Sequence, residues 1–139
     1  MIQYPLHGSY SPSQLVMVGA FKTVTSGNPT VLRDGTKVSA SQKMFSVTRN
    51  SAGLYTVTFA SGFPLPRLPF IYATLHQAAA PTNDAVLHVV RDSWNTSTRS
   101  FQVQIQTNGT TPAATDGDAG DVVSFMLVGA IDSVGVDPA

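Results

Sequence analysis

The chain reads as short apolar or alternating stretches cut apart by turn residues. Residues 15–24, LVMVGAFKTV, form an apolar run with β-branched members, long enough for one strand. The next stretch, SGNPTVLRDGTK, carries two turn signals, Asn28-Pro29 and Asp34-Gly35. The second is the favoured pair of a two-residue hairpin, because both positions tolerate a positive φ. KMFSVTRN is short and mixed, and residues 50–53 form another turn. LYTVTF then alternates, with Leu54, Thr56 and Thr58 on one face and Tyr55, Val57 and Phe59 on the other. Period two marks a half-buried strand. SGFPLPRLP crowds prolines together, which suits a connector or a sheet edge, since proline donates no backbone hydrogen bond. FIYATLHQ, AVLHVVRD, SFQVQIQT and VVSFMLVGAI supply further strands. In SFQVQIQT the exposed face is built of amides rather than charges. No window repeats apolar residues at i, i+3, i+4 and i+7 between helix caps. The pattern predicts an all-β fold: an antiparallel β-sandwich or jelly roll of about seven or eight strands.

Residues 1–14 lack a sustained period and are rich in Pro, Ser, Gly and Tyr, which predicts an extended N-terminal arm ahead of a sandwich domain over 15–139. Ile2, Tyr4, Leu6 and Tyr10 are the residues of that arm suited to docking on a neighbour.

One phrase recurs near both ends: VGAFKTV at 18–24 and VGAIDSV at 128–134. The segments between show no second register of similarity, so duplication is rejected. Chance also explains the recurrence, since buried strands draw on the same few residue types, and the physical reading is compatible with it. Both phrases sit in continuous apolar runs, which belong in the middle of a layer, covered on both faces. The expectation is that the first and last strands lie side by side and antiparallel. Gly19 and Gly129 would then sit near each other, filled over by Phe21, Phe125 or Trp94.

Charge sharpens the picture. The 139 residues hold 8 Lys+Arg and 8 Asp+Glu, a formal net of zero, and only 12% are charged. An average domain carries about 25%. No basic patch stands out, so nucleic acid is not an expected ligand. No stretch has the roughly 18 apolar residues of a spanning helix, and no membrane partner is expected. The first residues have no basic segment leading into an apolar run, so a Sec signal peptide is not expected. A neutral, weakly charged surface tends to associate, and interface cores are also poor in charge. The expected partner is therefore a homo-oligomer. There is no cysteine, which excludes disulfides and thiolate metal sites.

Candidate chemistry is thin. His7, His76 and His88 show no H-x-H or H-E-x-x-H spacing, and ordinary sheet-face histidines explain them. DGDAGD, residues 116–121, looks like the start of a calcium loop, but glycine stands fifth rather than sixth and the twelfth residue is Leu127. Asp116, Asp118 and Asp121 could still hold a hard cation with carbonyls and water; the plainer reading is a solvated turn. There is no G-x-S-x-G elbow, no phosphate-binding glycine loop and no glutamate. No cofactor and no enzymatic activity are expected. Trp94, in the polar stretch RDSWNTST, either stacks on a sugar or anchors a partner, or folds back as a lid over the core.

The stretch Gly53-Leu-Tyr-Thr-Val-Thr-Phe59, followed by Gly62-Phe-Pro-Leu-Pro66, resembles small β-domains of tailed-bacteriophage virions. These occur in capsid decoration (cement) proteins and at tail-fibre tips. The strand Phe125-Met-Leu-Val-Gly-Ala-Ile131 is similar to their closing strand, and the resemblance covers roughly residues 43–131. The complement and tumour-necrosis-factor jelly rolls share the rhythm; they are trimers whose first and last strands are neighbours. The resemblance implies a trimeric virion protein on the capsid surface, bound to the major capsid protein. Its alternative is a fibre-tip or lectin-like module that binds glycans through Trp94, Tyr72 or the acidic loop. Fibre tips usually follow a long repetitive shaft, which this chain lacks, and that favours decoration.

Overall fold

The computed structural model describes residues 14–34, 44–61 and 69–130. Eight strands run in order: β1 (Gln14–Lys22), β2 (Val31–Asp34), β3 (Phe45–Ser51), β4 (Leu54–Phe59), β5 (Phe70–His76), β6 (Ala85–Val89), β7 (Ser100–Thr107) and β8 (Val122–Ala130). They form two antiparallel four-stranded sheets, ordered β2-β1-β8-β5 and β3-β4-β7-β6. There is no helix among the described residues. The all-β sandwich expected from the hydrophobic pattern is what the chain forms.

Burial follows the period-two pattern. Tyr55, Val57 and Phe59 of β4 and Phe101, Val103 and Ile105 of β7 point inward from one sheet. Met17 and Phe21 of β1 and Val123, Phe125 and Leu127 of β8 point inward from the other. Ile71, Ala73 and Leu75 of β5 complete that face, partly buried against the same core. The middle of the core is aromatic. The Phe125 ring meets Phe45 edge-on at 4.9 Å, Phe101 at 5.5 Å and Phe59 at 6.2 Å. Such edge-to-face contacts add about 0.5–1.5 kcal/mol each beyond the area they bury.

The first and last strands do pair antiparallel, from Gln14 opposite Ala130 to Lys22 opposite Val122. The expected glycine pair does not form. Gly19 stands opposite Phe125, and Gly129 opposite Leu15. Gly19 instead makes room for aromatic rings: a Cβ there would lie 2.6 Å from both Phe125 and Phe45. Of the expected fillers, only Phe125 takes that role; Phe45, from the other sheet, shares it. The physical reason is register. Antiparallel pairing fixes a sum of residue numbers, and here it is set by burying alternate side chains of both strands, not by matching the two phrases.

Strand β2 lies in a stretch read from sequence as turns. Val31 packs on the core and pairs with Phe21, with a bulge between Ala20 and Phe21. A strand of 4 residues next to Asn28-Pro29 is too short for a periodic signal, and pairing with β1 decides its conformation. Asp34 closes β2, and the Asp34-Gly35 turn beyond it lies outside the described residues, as does the Pro-rich 62–68 connector. So does the N-terminal arm apart from Gln14, which opens β1.

Candidate functional site

The acidic loop 116–121 sits where three connections meet: Asp116 serves the β3–β4 hairpin, the Asp118 and Asp121 carboxylates both serve the β5–β6 connection, and the Asp121 carbonyl holds the end of β1. Asp116 faces the β3–β4 hairpin. Its Oδ1 accepts from Arg49 Nε (2.9 Å), from the Gly53 N–H (2.9 Å) and from the Tyr55 hydroxyl (2.8 Å). Its Oδ2 accepts from Arg49 Nη2 at 2.7 Å, completing a bidentate ion pair. Gly53 can turn here because its φ is 69°. It must also be small, since a Cβ would run into the carbonyl oxygens of Ile105 and Thr115. Tyr55 is wholly buried, and its hydroxyl also hydrogen-bonds to the backbone of Val24 after β1.

Electrostatics follow from that packing. Burial works to raise the Asp116 pKa, but the bonds from Arg49, Gly53 and Tyr55 outweigh it and hold the carboxyl below its ordinary value. Burial, reinforced by the neighbouring Asp116 carboxylate, pushes the Tyr55 phenol well up. Tyr55 is therefore a neutral donor at all ordinary pH values.

Asp118 faces the β5–β6 connection. Its carboxylate accepts from the Thr82 N–H (2.6 Å), the Asn83 N–H (3.1 Å) and Asn83 Nδ2 (2.8 Å). Asp121 is buried, and its Oδ2 accepts from Gln77 Nε2 (2.8 Å) and from the Asp118 N–H (2.9 Å). Gln77 also binds the backbone of Asn83 and Ala85. The Thr23 N–H donates to the Asp121 carbonyl at 2.9 Å, tying the end of β1 to the same loop. The three carboxylates are thus spent on N–H and O–H donors, Asp116 in one network and Asp118 with Asp121 in a second that runs through Gln77 and Asn83. No group of three His, Asp or Glu side chains suited to a metal ion occurs among the described residues. The loop is a staple for one end of the sandwich.

Trp94 is half-buried and packs against the core, with its ring 6.5 Å from that of Phe59. This fits the lid reading. One side of Trp94 borders a shallow cleft of about 260 Å³ shared with Pro69, Ile71, Arg91, Asp92 and Ser93. Asn95 fixes the following turn by accepting from the Ser97 and Thr98 N–H groups. His76 and His88 lie exposed on different sheets. His76 contacts Thr74 Oγ1 at 3.1 Å. The docking residues Ile2, Tyr4, Leu6 and Tyr10 lie outside the described residues.

The feature sequence reasoning missed is a surface. The outer face of the β2-β1-β8-β5 sheet is apolar. In register across β1, β8 and β5 stand Val16, Val128 and Phe70, then Val18, Met126 and Tyr72, then Ala20, Ser124 and Thr74. Phe70 is 63% exposed, Tyr72 55%, Val16 49% and Met126 36%. The sequence expectation for β1 and β8 was cover on both faces. Among the described residues only the inner face is covered. The signal was present in the continuous apolar runs, but sequence does not say which chain supplies the second cover.

Comparison with protein-family models, with curated proteins and with solved structures finds no match for this chain.

Proposed function

We propose that this chain is a virion structural protein of a tailed bacteriophage: a decoration protein that sits on the major capsid shell as a homotrimer and stabilises it. The observation that carries the reading is the apolar outer face of the β2-β1-β8-β5 sheet, uncovered among the described residues. A surface of this kind serves assembly, since large exposed apolar patches mark interaction sites. The resemblance of residues 53–66 and 125–131 to virion β-domains supports the same role, as does the low charge of the whole chain. Many modest contacts repeated over a shell would add up through multivalency.

The test is co-sedimentation of the purified protein with empty capsids, together with the integrity of particles made without it. The expected result is saturable binding and particles that leak or rupture when the protein is missing. No binding to shells, with intact particles in its absence, would remove the reading. A second reading, a glycan-binding tail module, draws on the cleft beside Trp94, where an aromatic wall meets Arg91, Asp92 and Ser93. Selective binding on a glycan array, lost in Trp94→Ala, would favour it.

A further inference from the structure

We infer that the outer face formed by β1, β8 and β5 is the surface through which copies of this chain bind one another. The inference rests on the self-association in the proposed function and not on the capsid, and it names the residues that carry that association.

Four observations select a second copy as the occupant. First, the strands are built for it. β1 and β8 are continuous apolar runs of the kind found where a sheet is covered on both sides. Among the described residues, the sandwich core covers one side only.

Second, the patch carries both halves of a contact. Phe70 and Tyr72, with ring centroids 5.1 Å apart, stand beside Val16 and Met126 as a ridge. Next to it the small residues Ala20, Ser124 and Thr74 leave a hollow, walled by Val18, Tyr72 and Met126, of about 290 Å³. An apolar cavity of about 150 Å³ accepts a benzene ring, so an aromatic side chain fits this one. A ridge and a hollow on one patch let copies pack ridge into hollow and close a symmetric oligomer.

Third, charge gives no preference for a foreign partner. Across β1, β8 and β5 the centre of the face holds no ionisable group other than the Tyr72 phenol. The cationic and titratable residues stand at its borders: Arg33 on β2 opposite Ala20, and Lys22 and His76 in the last row, beside Val122. A patch with a neutral centre, its charges kept to the border, meets its own copy there without repulsion.

Fourth, the area is adequate. Side chains of this size and exposure leave on the order of 400 Å² of apolar surface per copy. Two copies would hide about 800 Å², and the rim brings the total near the ~1,000 Å² that a biological contact clears. Leu32 on β2, 50% exposed, extends that rim.

The experiment is sedimentation equilibrium of the full chain over a wide concentration range, on wild type and on Tyr72→Glu, Met126→Glu and Thr48→Glu. Thr48 is exposed on the other sheet and serves as the control. Tyr72→Ser is added in case either charged variant on the patch fails to fold, with circular dichroism confirming strand content. The expected result is an oligomeric wild type and Thr48→Glu. Tyr72→Glu and Met126→Glu should dissociate with a constant raised about tenfold or more, because a charge would have to be buried without a partner. An oligomer that survives Tyr72→Glu, Met126→Glu and Tyr72→Ser unchanged overturns this face while leaving self-association standing. A wild type that stays monomeric at every concentration overturns both. If such a monomer associates once residues 1–13 are deleted, the face belongs to that segment of its own chain, and the proposal is equally overturned.

Discussion

The two sheets present opposite outer faces from nearly identical inner ones. On β3-β4-β7-β6 the outward rows are hydroxyls and amides, such as Thr48, Thr56 and Gln102 in register. These residues bond to one another and to their surroundings. Thr56 Oγ1 donates to Asn50 Oδ1 at 2.6 Å, Gln102 Nε2 donates to Thr56 Oγ1 at 3.1 Å, and Gln104 Nε2 donates to the Ile105 carbonyl at 2.9 Å. On β2-β1-β8-β5 the two rows Val16-Val128-Phe70 and Val18-Met126-Tyr72 are wholly Val, Met, Phe and Tyr. Of the six large hydrophobic side chains exposed among the described residues, only Val86 belongs to the polar sheet. Both faces avoid charge, so low charge alone does not distinguish them. What differs is whether water satisfies the face, and that decides which side of the sandwich is available for burial.

The largest effects should be shared by both sheets. Leu127 and Ile105 are fully buried on opposite inner faces. Leu127→Ala and Ile105→Ala should each cost about 2–5 kcal/mol in urea unfolding. A loss under ~1 kcal/mol for either would show that its sheet does not share the common core. Gly19→Val should also destabilise by about 1–3 kcal/mol, because the rings of Phe125 and Phe45 already fill the space. Neutral behaviour there would break the packing on which the register argument stands.

Intermediate effects should come from the loop that joins the sheets. Tyr55→Phe removes the hydroxyl that bonds both Val24 and Asp116, and should cost about 1–2 kcal/mol. Asp116→Asn should cost about 2 kcal/mol and change the acid limb of stability. The Asp116 pKa is lowered in the fold, so its contribution is full above the ordinary carboxylate value near 3.9 and lost as pH falls through the depressed one. The Tyr55 pKa is raised, so its contribution is full below about pH 10 and lost as pH rises beyond it. Melting temperature measured against pH should therefore flatten on the acid side in Asp116→Asn and on the alkaline side in Tyr55→Phe. Unchanged limbs would remove these two groups from the account. Chelation should leave stability unmoved, since the loop carboxylates are already bonded to protein donors.

The smallest effects on the folding of a single chain, and the sharpest contrast between faces, should come from outward positions. Tyr72→Ser and Gln104→Ser should each change unfolding free energy by no more than about 0.5–1 kcal/mol at concentrations where the chain is monomeric. Only Tyr72→Ser should change association. Equal behaviour of the two in sedimentation would erase the distinction between the faces.

Much of this was legible before folding. Strict alternation in 54–59 and 101–106 named both the inward aromatics and the outward amides, because a strand turns successive side chains to opposite faces. The recurring VGA phrase led to the correct pairing of β1 with β8 but to the wrong partner for Gly19, since composition does not carry register. The acidic loop was visible as a cluster, yet its spacing could not reveal that Asp116 turns to the β3–β4 hairpin while Asp118 and Asp121 turn together to the β5–β6 connection. Arg49, Tyr55, Gln77 and Asn83 left no local signal of their roles, because the aspartates they bond lie 35 to 67 residues away along the chain.

The sequence by itself determined the class of fold, the core residues and the near absence of charge, because these depend on local periodicity and composition. Only the tertiary structure decided the strand neighbours beyond the β1–β8 pair and the register of that pair, that the aspartates act as loop staples, and that one sheet leaves Phe70, Tyr72 and Met126 in water. Those outcomes depend on contacts between residues distant in the chain, and such contacts are fixed by register and layer packing rather than by any short stretch of sequence.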